Sequence, residues 1–262
     1  MKDKVVWITG ASSGIGKACA MACSQQGAKV ILSARNEQKL KEVSNELSGE
    51  SSILPLDVSD APSISSKTKE AISTFGQVDV LINNAGISQR GLVRETTLEV
   101  DRRIFEVNFF GNIAITKELL PHMASRGSGN IAVISSIAGK LATAGRSAYA
   151  ASKHALHGYY DALRAEVSDD GIGIHMICPG YVKTDISINA LSGDGKAHGV
   201  MDPNQNAGIS AEACANSIVE AIQSGKKEVH LGKMEKIAVQ IRKVSPSWYH
   251  NFILKKAREG SY

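Results

Sequence analysis

"VVWITGASSGIGKACAMACSQQGAKVILSA", residues 5–34, decides the fold. It opens on a short β-branched run, Val5 to Thr9, and turns through glycines at 10, 14 and 16. A helix-like stretch follows, closes at Gly27, and gives way to a second apolar run at 29–34. Strand, glycine turn, helix and strand within thirty residues read as the start of a parallel βα array. The chain repeats the alternation. Apolar runs stand at 52–58, 78–86, 130–136, 173–180 and 228–232. Helical patterns stand at 36–47 and 61–76, twice within 97–127, and at 147–170. Strands apolar on both faces predict a sheet covered on both sides. The expected fold is α/β: one doubly wound parallel sheet of about seven strands within residues 1–232, with helices on both faces.

Two regions depart from the alternation. Residues 185–208 are polar and Gly-rich and read as a lid. Residues 233–262 read as a basic helical tail. Over 233–258 it carries Lys or Arg at 233, 236, 242, 243, 255, 256 and 258 against one acid, Glu235. Ile237, Ile241, Val244, Trp248 and Phe252 recur at helical spacing, interrupted at Pro246. That pattern suits packing on the body or on a partner subunit. It also suits weak peripheral membrane contact, and disorder is the third reading.

Composition narrows the function. The 262 residues are 43% hydrophobic and 21% charged, with a net charge of +4. That balance is globular and too mildly basic for a nucleic-acid binder, so small molecules are the expected partners. Cys19, Cys23, Cys178 and Cys214 form no C-x-x-C pair, so buried reduced thiols are expected and no metal site. "MKDKVVWITG" enters a strand at once, so no signal peptide is expected. No apolar run approaches the roughly 18 residues that span a bilayer. A cytoplasmic location is expected, with membrane association as the alternative.

The glycine turn "ITGASSGIGKA" (8–18) lies between the first strand and the first helix. Glycine permits the tight turn and lets backbone N–H groups approach a phosphate at a helix N-terminus. The spacing G-x-x-x-G-x-G is not a Walker loop, which would need glycine where Ala11 stands. A Rossmann-type dinucleotide site is the reading its placement favours, with Gly10, Ser12, Ser13, Gly14, Ile15 and Gly16 as the phosphate-binding residues. At the end of the second strand such folds place an acid on the adenosine ribose. Here the stretch is Ser33-Ala34-Arg35-Asn36. Ala34 offers no acceptor and Arg35 can pair with a 2′-phosphate. NADP(H) is therefore expected over NAD(H), with Arg35 and Asn36 at the adenosine end.

With these residues placed, the chain resembles the short-chain dehydrogenase/reductases, in the subgroup of about 250 residues. "TGASSGIG" (9–16), "NNAG" (83–86), "VN" (107–108), "SS" (135–136), Tyr149-x-x-x-Lys153 and "PGYVKT" (179–184) carry the resemblance in the family's order, over residues 4–232. Within the family, "NNAGISQRG", "RSAYAASKHA" and "PGYVKTDISINAL…GVMD" resemble the branch called dehydrogenase/reductase member seven, subtype B. The resemblance implies that Asp57 and Val58 meet the adenine. It implies that Asn84, Ala85 and Gly86 line the cofactor cleft, that Pro179 and Gly180 border it, and that Val182 and Thr184 hold the nicotinamide carboxamide. Helices after the fourth and fifth strands commonly form a four-helix interface in this family, which implies a homodimer or homotetramer.

Tyr149 and Lys153 stand one helical turn apart and share a face. Interconverting a carbonyl and an alcohol needs a hydride from the cofactor and a proton from the protein. An ordinary tyrosine titrates near pH 10, and a neighbouring cation lowers it. Tyr149 is thus the expected general acid/base, with Lys153 lowering its pKa and gripping the nicotinamide ribose. Ser136, at the tip of the fifth strand, is the expected partner of the substrate oxygen, ahead of Ser135. Asn108 would hold a water that links Lys153 to solvent. His154 and His157 flank the site and read as surface or packing residues. Arg146 could meet an anion or serve the structure. The expected substrate is a ketone, aldehyde or alcohol of moderate hydrophobicity, bounded by residues 137–146 and the lid. The competing reading is a catalytically silent cofactor-binding sensor or scaffold of the same fold.

Overall fold

A computed structural model describes residues 1–258 without the side chain of Lys256, so that tail cation and residues 259–262 lie outside the described residues. Nine strands follow in chain order: β1 (Val5–Thr9), β2 (Lys29–Ser33), β3 (Ser51–Ile53), β4 (Val80–Asn83), β5 (Gln89–Arg90), β6 (Gly129–Ile134), β7 (Ile172–Pro179), β8 (Leu191–Ser192) and β9 (Glu228–Leu231) among the described residues. Seven of them form one parallel sheet in the order β3-β2-β1-β4-β6-β7-β9. β5 and β8 pair separately, also in parallel.

The helices are α1 (Gly14–Gln25), α2 (Glu37–Glu46), α3 (Ala61–Phe75), α4 (Leu98–Phe105), α5 (Gly111–Ser125), α6 (Ser147–Glu166), α7 (Pro203–Asn206), α8 (Ala211–Gln223), α9 (Glu235–Val244) and α10 (Pro246–Arg258). Side chains alternate across a strand, and β1 uses both faces. Val6 and Ile8 join Cys19, Cys23, Leu40, Ile218 and Ile222 from α1, α2 and α8. Val5 and Trp7 join Ile64, Ile115, Leu119, Leu156 and Tyr160 from α3, α5 and α6. Trp7 keeps its one polar atom satisfied by donating Nε1–H to Ser33 Oγ at 2.8 Å. This is the two-sided doubly wound sheet that the alternating runs predicted.

Several elements differ from the sequence reading. The third strand is three residues rather than 52–58, although Leu54 N and Leu56 N, on either side of Pro55, still donate to Leu32 O at 2.8 Å and Ala34 O at 3.1 Å. A further helix, α8, lies between the lid and β9. Its start is marked by Ser210, whose hydroxyl accepts from Ala213 N at 3.1 Å. The stretch 97–127 does hold two helices, joined by a π-helical turn over 106–110 that carries Asn108.

The lid is not a free loop. It contains β8 and α7, and Asp202 at the start of α7 forms ion pairs with Arg90 at 3.1 Å and Arg146 at 2.6 Å. The tail is split at Pro246, as its sequence suggested, and one face packs on the body. Val239 and Tyr249 are buried with Ile137, Leu141 and Cys178. Tyr249 donates its hydroxyl to Ala142 O at 3.1 Å. Glu235 of α9 accepts from Tyr181 N at 2.9 Å. The opposite face exposes Ile237, Val244 and Trp248, the last stacked on Phe252 with ring centroids 5.5 Å apart. Among the described residues no helix is long and apolar enough to cross a membrane.

Candidate active site

β1 and β4 are neighbours in the sheet, and the helices that follow them lie on opposite faces. Such a reversal opens a crevice at the carboxyl ends of the strands, where doubly wound folds take ligands. The glycine turn lines one side of it. Gly10 has φ +66°, a conformation side chains rarely adopt, and a Cβ there would stand 2.9 Å from Ala85 Cα. A Cβ on Gly16 would run into the Gly10 carbonyl and stand 2.6 Å from Asn84 Nδ2. Side chains are thus kept out of the turn by close packing. Ser13, the residue before α1, makes no side-chain cap, so the first amides of α1 are not satisfied by it. Gly14, Lys17, Lys183, Thr184 and Asp185 border a cleft of about 310 Å³ at this turn. The turn suits a phosphate-bearing cofactor in shape and in donors.

Asn84 holds this turn. Its Nδ2 donates to Thr9 O at 3.0 Å and Gly10 O at 3.2 Å. Thr9, which sequence reasoning passed over, accepts from Asn84 N at 3.0 Å and Ala85 N at 3.1 Å through its hydroxyl. At the end of β2, Arg35 is exposed. Asn36 spends its side-chain oxygen capping α2, accepting from Lys39 N at 2.9 Å. Asp57 accepts from the Ser59 amide and hydroxyl at 3.0 and 2.7 Å. Burial raises its pKa, but the Ser59 hydrogen bonds and the charges of Arg35 and Arg103 outweigh this and hold the carboxyl below its usual range. Val58 is buried beside it.

Across the crevice, the β6 and α6 residues meet. Ser136 lies two residues past β6, and its hydroxyl donates to Pro179 O at 3.3 Å, accepts from Ala138 N at 3.0 Å and acts on the Tyr149 phenol. Ser135 faces away, toward Lys153 O at 3.2 Å and His157 Nε2 at 3.1 Å. Lys153 is buried, and its Nζ donates to Ile134 O at 2.8 Å. Burial lowers its pKa to about 8. Asn108 is fully buried and clasps Ile87, accepting from its N at 2.8 Å and donating to its O at 2.9 Å. It also donates to Ser152 Oγ at 3.1 Å. A side chain starting from Gly86 would lie 3.2 Å from Asn108 Oδ1 and 3.5 Å from Lys153 Nζ, so the three residues border one space.

The electrostatics correct one expectation. Burial pushes the Tyr149 phenol above its ordinary value, and the Ser136 hydrogen bond opposes this together with the charges of Arg146 and Arg90. Lys153 was expected to be the lowering cation. Its ammonium is instead drawn to Ile134 O, 5.9 Å from the phenol ring centre, and burial weakens its own charge. Arg146 and Arg90, the cations that act on the phenol, are held in place by the Asp202 pairs, at side-chain exposures of only 13% and 11%.

Val182 and Thr184 sit on the far wall. Gln205 of α7 donates its amide to Val182 O and to Thr184 Oγ1, the latter at 3.3 Å. Pro179 ends β7, and Gly180 N donates to Leu231 O at 2.7 Å. His154 bonds Ala150 O at 2.8 Å along its own helix, while His157 packs behind the site against Ser135 and Cys178. Sequence reasoning also missed a buried network below β4, in which Asn83 Nδ2 donates to Thr116 Oγ1 at 2.9 Å and to the Tyr160 hydroxyl at 3.3 Å. Asn83 heads the "NNAG" stretch, so the signal was present but went unused.

Known proteins resemble this chain closely. The family model for short chain dehydrogenase matches residues 4–194. Dehydrogenase/reductase SDR family member 7B of Mus musculus is 41% identical over 267 residues, covering 99% of this chain and 83% of that one. Dehydrogenase/reductase SDR family protein 7-like of Anopheles gambiae is 43% identical over 268 residues, covering 99% and 84%. Among solved structures, a short-chain dehydrogenase from Streptomyces avermitilis superposes with a TM-score of 0.83 at 30% identity, covering 100% and 99%. A short chain dehydrogenase/reductase from Burkholderia phymatum, crystallised with NAD, has the same fold with a TM-score of 0.84 at 24% identity, covering 94% and 95%.

Proposed function

The chain belongs to the short-chain dehydrogenase family of oxidoreductases, and from that premise we propose that it interconverts a ketone or aldehyde and an alcohol with NADP(H), Tyr149 acting as general acid/base. The observation that carries the reading is the convergence of Ser136, Tyr149 and Lys153 at the carboxyl end of the sheet, the Ser136 hydroxyl acting on the phenol and Lys153 buried on the same helical face. The glycine turn and the amides of α1 hold the pyrophosphate, and Lys153 and Asn108 border the ribose side. When bound, the nicotinamide supplies or accepts the hydride. Ser136 donates to the substrate oxygen and orients it toward the phenol. Tyr149 then gives its proton to that oxygen in reduction and takes it back in oxidation. Arg90 and Arg146 favour the phenolate that reduction leaves behind. The exposed guanidinium of Arg35, with no carboxylate at position 34, favours the phosphorylated cofactor.

The same reading includes a homodimer or homotetramer. Phe110 is 47% exposed between α4 and α5 and continues an edge-to-face chain through Phe109 to Tyr159, an apolar surface suited to a second copy. The test of the chemistry is a screen of carbonyls with NADPH, followed at the cofactor's absorbance, on wild type and Tyr149→Phe. The variant is expected to bind NADPH unchanged and lose roughly 10²–10⁴ in kcat. Full turnover in the variant overturns the mechanism.

A further inference from the structure

In the segment "ISQRG" (87–91), after the strand-four residues, Gln89 has no role in the chemistry above. It nevertheless reaches the catalytic helix. Every α-helix begins with N–H groups that have no partner in the helix, and a side chain at the residue before it usually accepts from the second or third. In α6 those two amides belong to Ala148 and to Tyr149 itself. The residue before α6 is Arg146, which has no acceptor and makes no cap. The acceptor comes from β5 instead. Gln89 Oε1 takes Ala148 N–H at 2.9 Å and Tyr149 N–H at 3.4 Å. Its Nε2 donates to Thr96 Oγ1 at 3.0 Å, which fixes the amide's orientation. Gln89 is fully buried.

We propose that Gln89 is a positioning residue for Tyr149, capping in trans the helical turn that carries the phenol and tying it to the lid. β5 is the joint between the two. Gln89 pairs in register with Leu191 of lid strand β8, and Leu191 N donates to Ser88 O at 2.9 Å. Gly91 N donates to Gly145 O at 3.1 Å, just before α6. Arg90, the next residue, shares Asp202 of the lid with Arg146. One short strand thus fixes the backbone of Tyr149, the lid edge and a cation beside the phenol. An amide serves here where the equally long carboxylate of glutamate would accept the same bonds, because a negative charge at this point would oppose the phenolate.

The inference rests on Tyr149 being the proton-transfer group, so the test reads the cap separately from turnover. Hydrogen exchange at the Ala148 and Tyr149 amides is measured in Gln89→Met and Gln89→Glu, with NADPH affinity, kcat and KM. In Gln89→Met both amides are expected to exchange about tenfold faster, the loss of one buried hydrogen bond, with the rest of α6 unchanged. Its kcat should fall by about tenfold with NADPH affinity held within about twofold, as for a displaced rather than a missing catalytic group. Gln89→Glu should keep the amide protection and shift the pH profile of alcohol oxidation upward. In a Tyr149→Phe background, Gln89→Met should cost the residual turnover less than about twofold. Unchanged exchange in Gln89→Met, or a loss of kcat that persists undiminished without the phenol, overturns the proposal. So does a Gln89→Met protein that exchanges faster throughout α6. If wild type reduces no carbonyl, the proposed function fails while the exchange data still decide the cap.

Discussion

His157 offers a test that separates a packing histidine from a catalytic one. Its side chain lies behind the site, with Nε2 at 3.1 Å from Ser135 Oγ and 3.7 Å from Cys178 Sγ. Nδ1 is 3.6 Å from Glu228 and has no hydrogen-bond partner among the described residues. Burial, reinforced by the charge of Lys140, lowers its pKa from 6.5 to about 4, against the opposing pull of Glu228 and Asp161. The sign follows from linkage. Between pH 6.5 and 4 the unfolded chain holds a proton on this residue and the folded chain does not, so stability falls as pH falls through that window and levels off below it. At ~1.4 kcal/mol per pH unit of difference, the loss is roughly 2 kcal/mol at pH 5 and about 3 kcal/mol by pH 4. Asp79, Asp202 and Glu228, whose pKa values are also lowered, weaken the fold over the same acid range. The comparison is therefore made with His157→Gln, which keeps a neutral polar group near Ser135. Urea unfolding from pH 7 to 4 should show wild type losing about 2–3 kcal/mol more than the variant, with kcat at pH 7 changed by less than about threefold. Parallel stability curves, or a hundredfold loss of kcat at pH 7, would refute the assignment.

Two predictions concern the cofactor. Gly16→Ala places a methyl against the Gly10 carbonyl, where the backbone cannot yield cheaply; NADPH affinity measured by fluorescence titration should fall by at least about tenfold, since the turn must open to accept it. Ala34→Asp with Arg35→Ser restores an acceptor for the ribose hydroxyls and removes the exposed cation at the end of β2. The ratio of kcat/KM for NADPH over NADH should fall by about 10²-fold, of the size of a charged hydrogen-bonded contact, and an unchanged ratio sinks the NADP(H) preference.

What the sequence displayed is what lies close along the chain. The glycine turn falls within seven residues, and the phenol and the ammonium within one turn of α6, so period and spacing exposed both. The sheet was legible because strands such as β1 are apolar on both faces, and only burial on both sides makes that pattern favourable. The missed parts depend on partners far apart in the chain. Gln89 meets α6 across 59 residues, Arg90 meets Asp202 across 112, and Thr9 meets Asn84 across 75. None leaves a periodic trace, because each is one side chain satisfying one buried group. α8 is a different failure. Cys214, Ala215, Ile218, Val219 and Ile222 are at helical spacing after the Ser210 cap, so its pattern was present in the chain and simply unread.

The arginine pair alters how the site's charge should be understood. Burial works against both members of the Tyr149–Lys153 pair, raising the phenol and lowering the ammonium to about 8. A lysine whose charge burial weakens in this way is a poor source of a steady field. Arginine keeps its charge at such pH values, because its delocalised cation has a far higher pKa. Two guanidiniums against the single carboxylate of Asp202 leave one positive charge in excess beside the phenol. The field that favours the phenolate at Tyr149 therefore comes from β5 and the start of α6 rather than from Lys153.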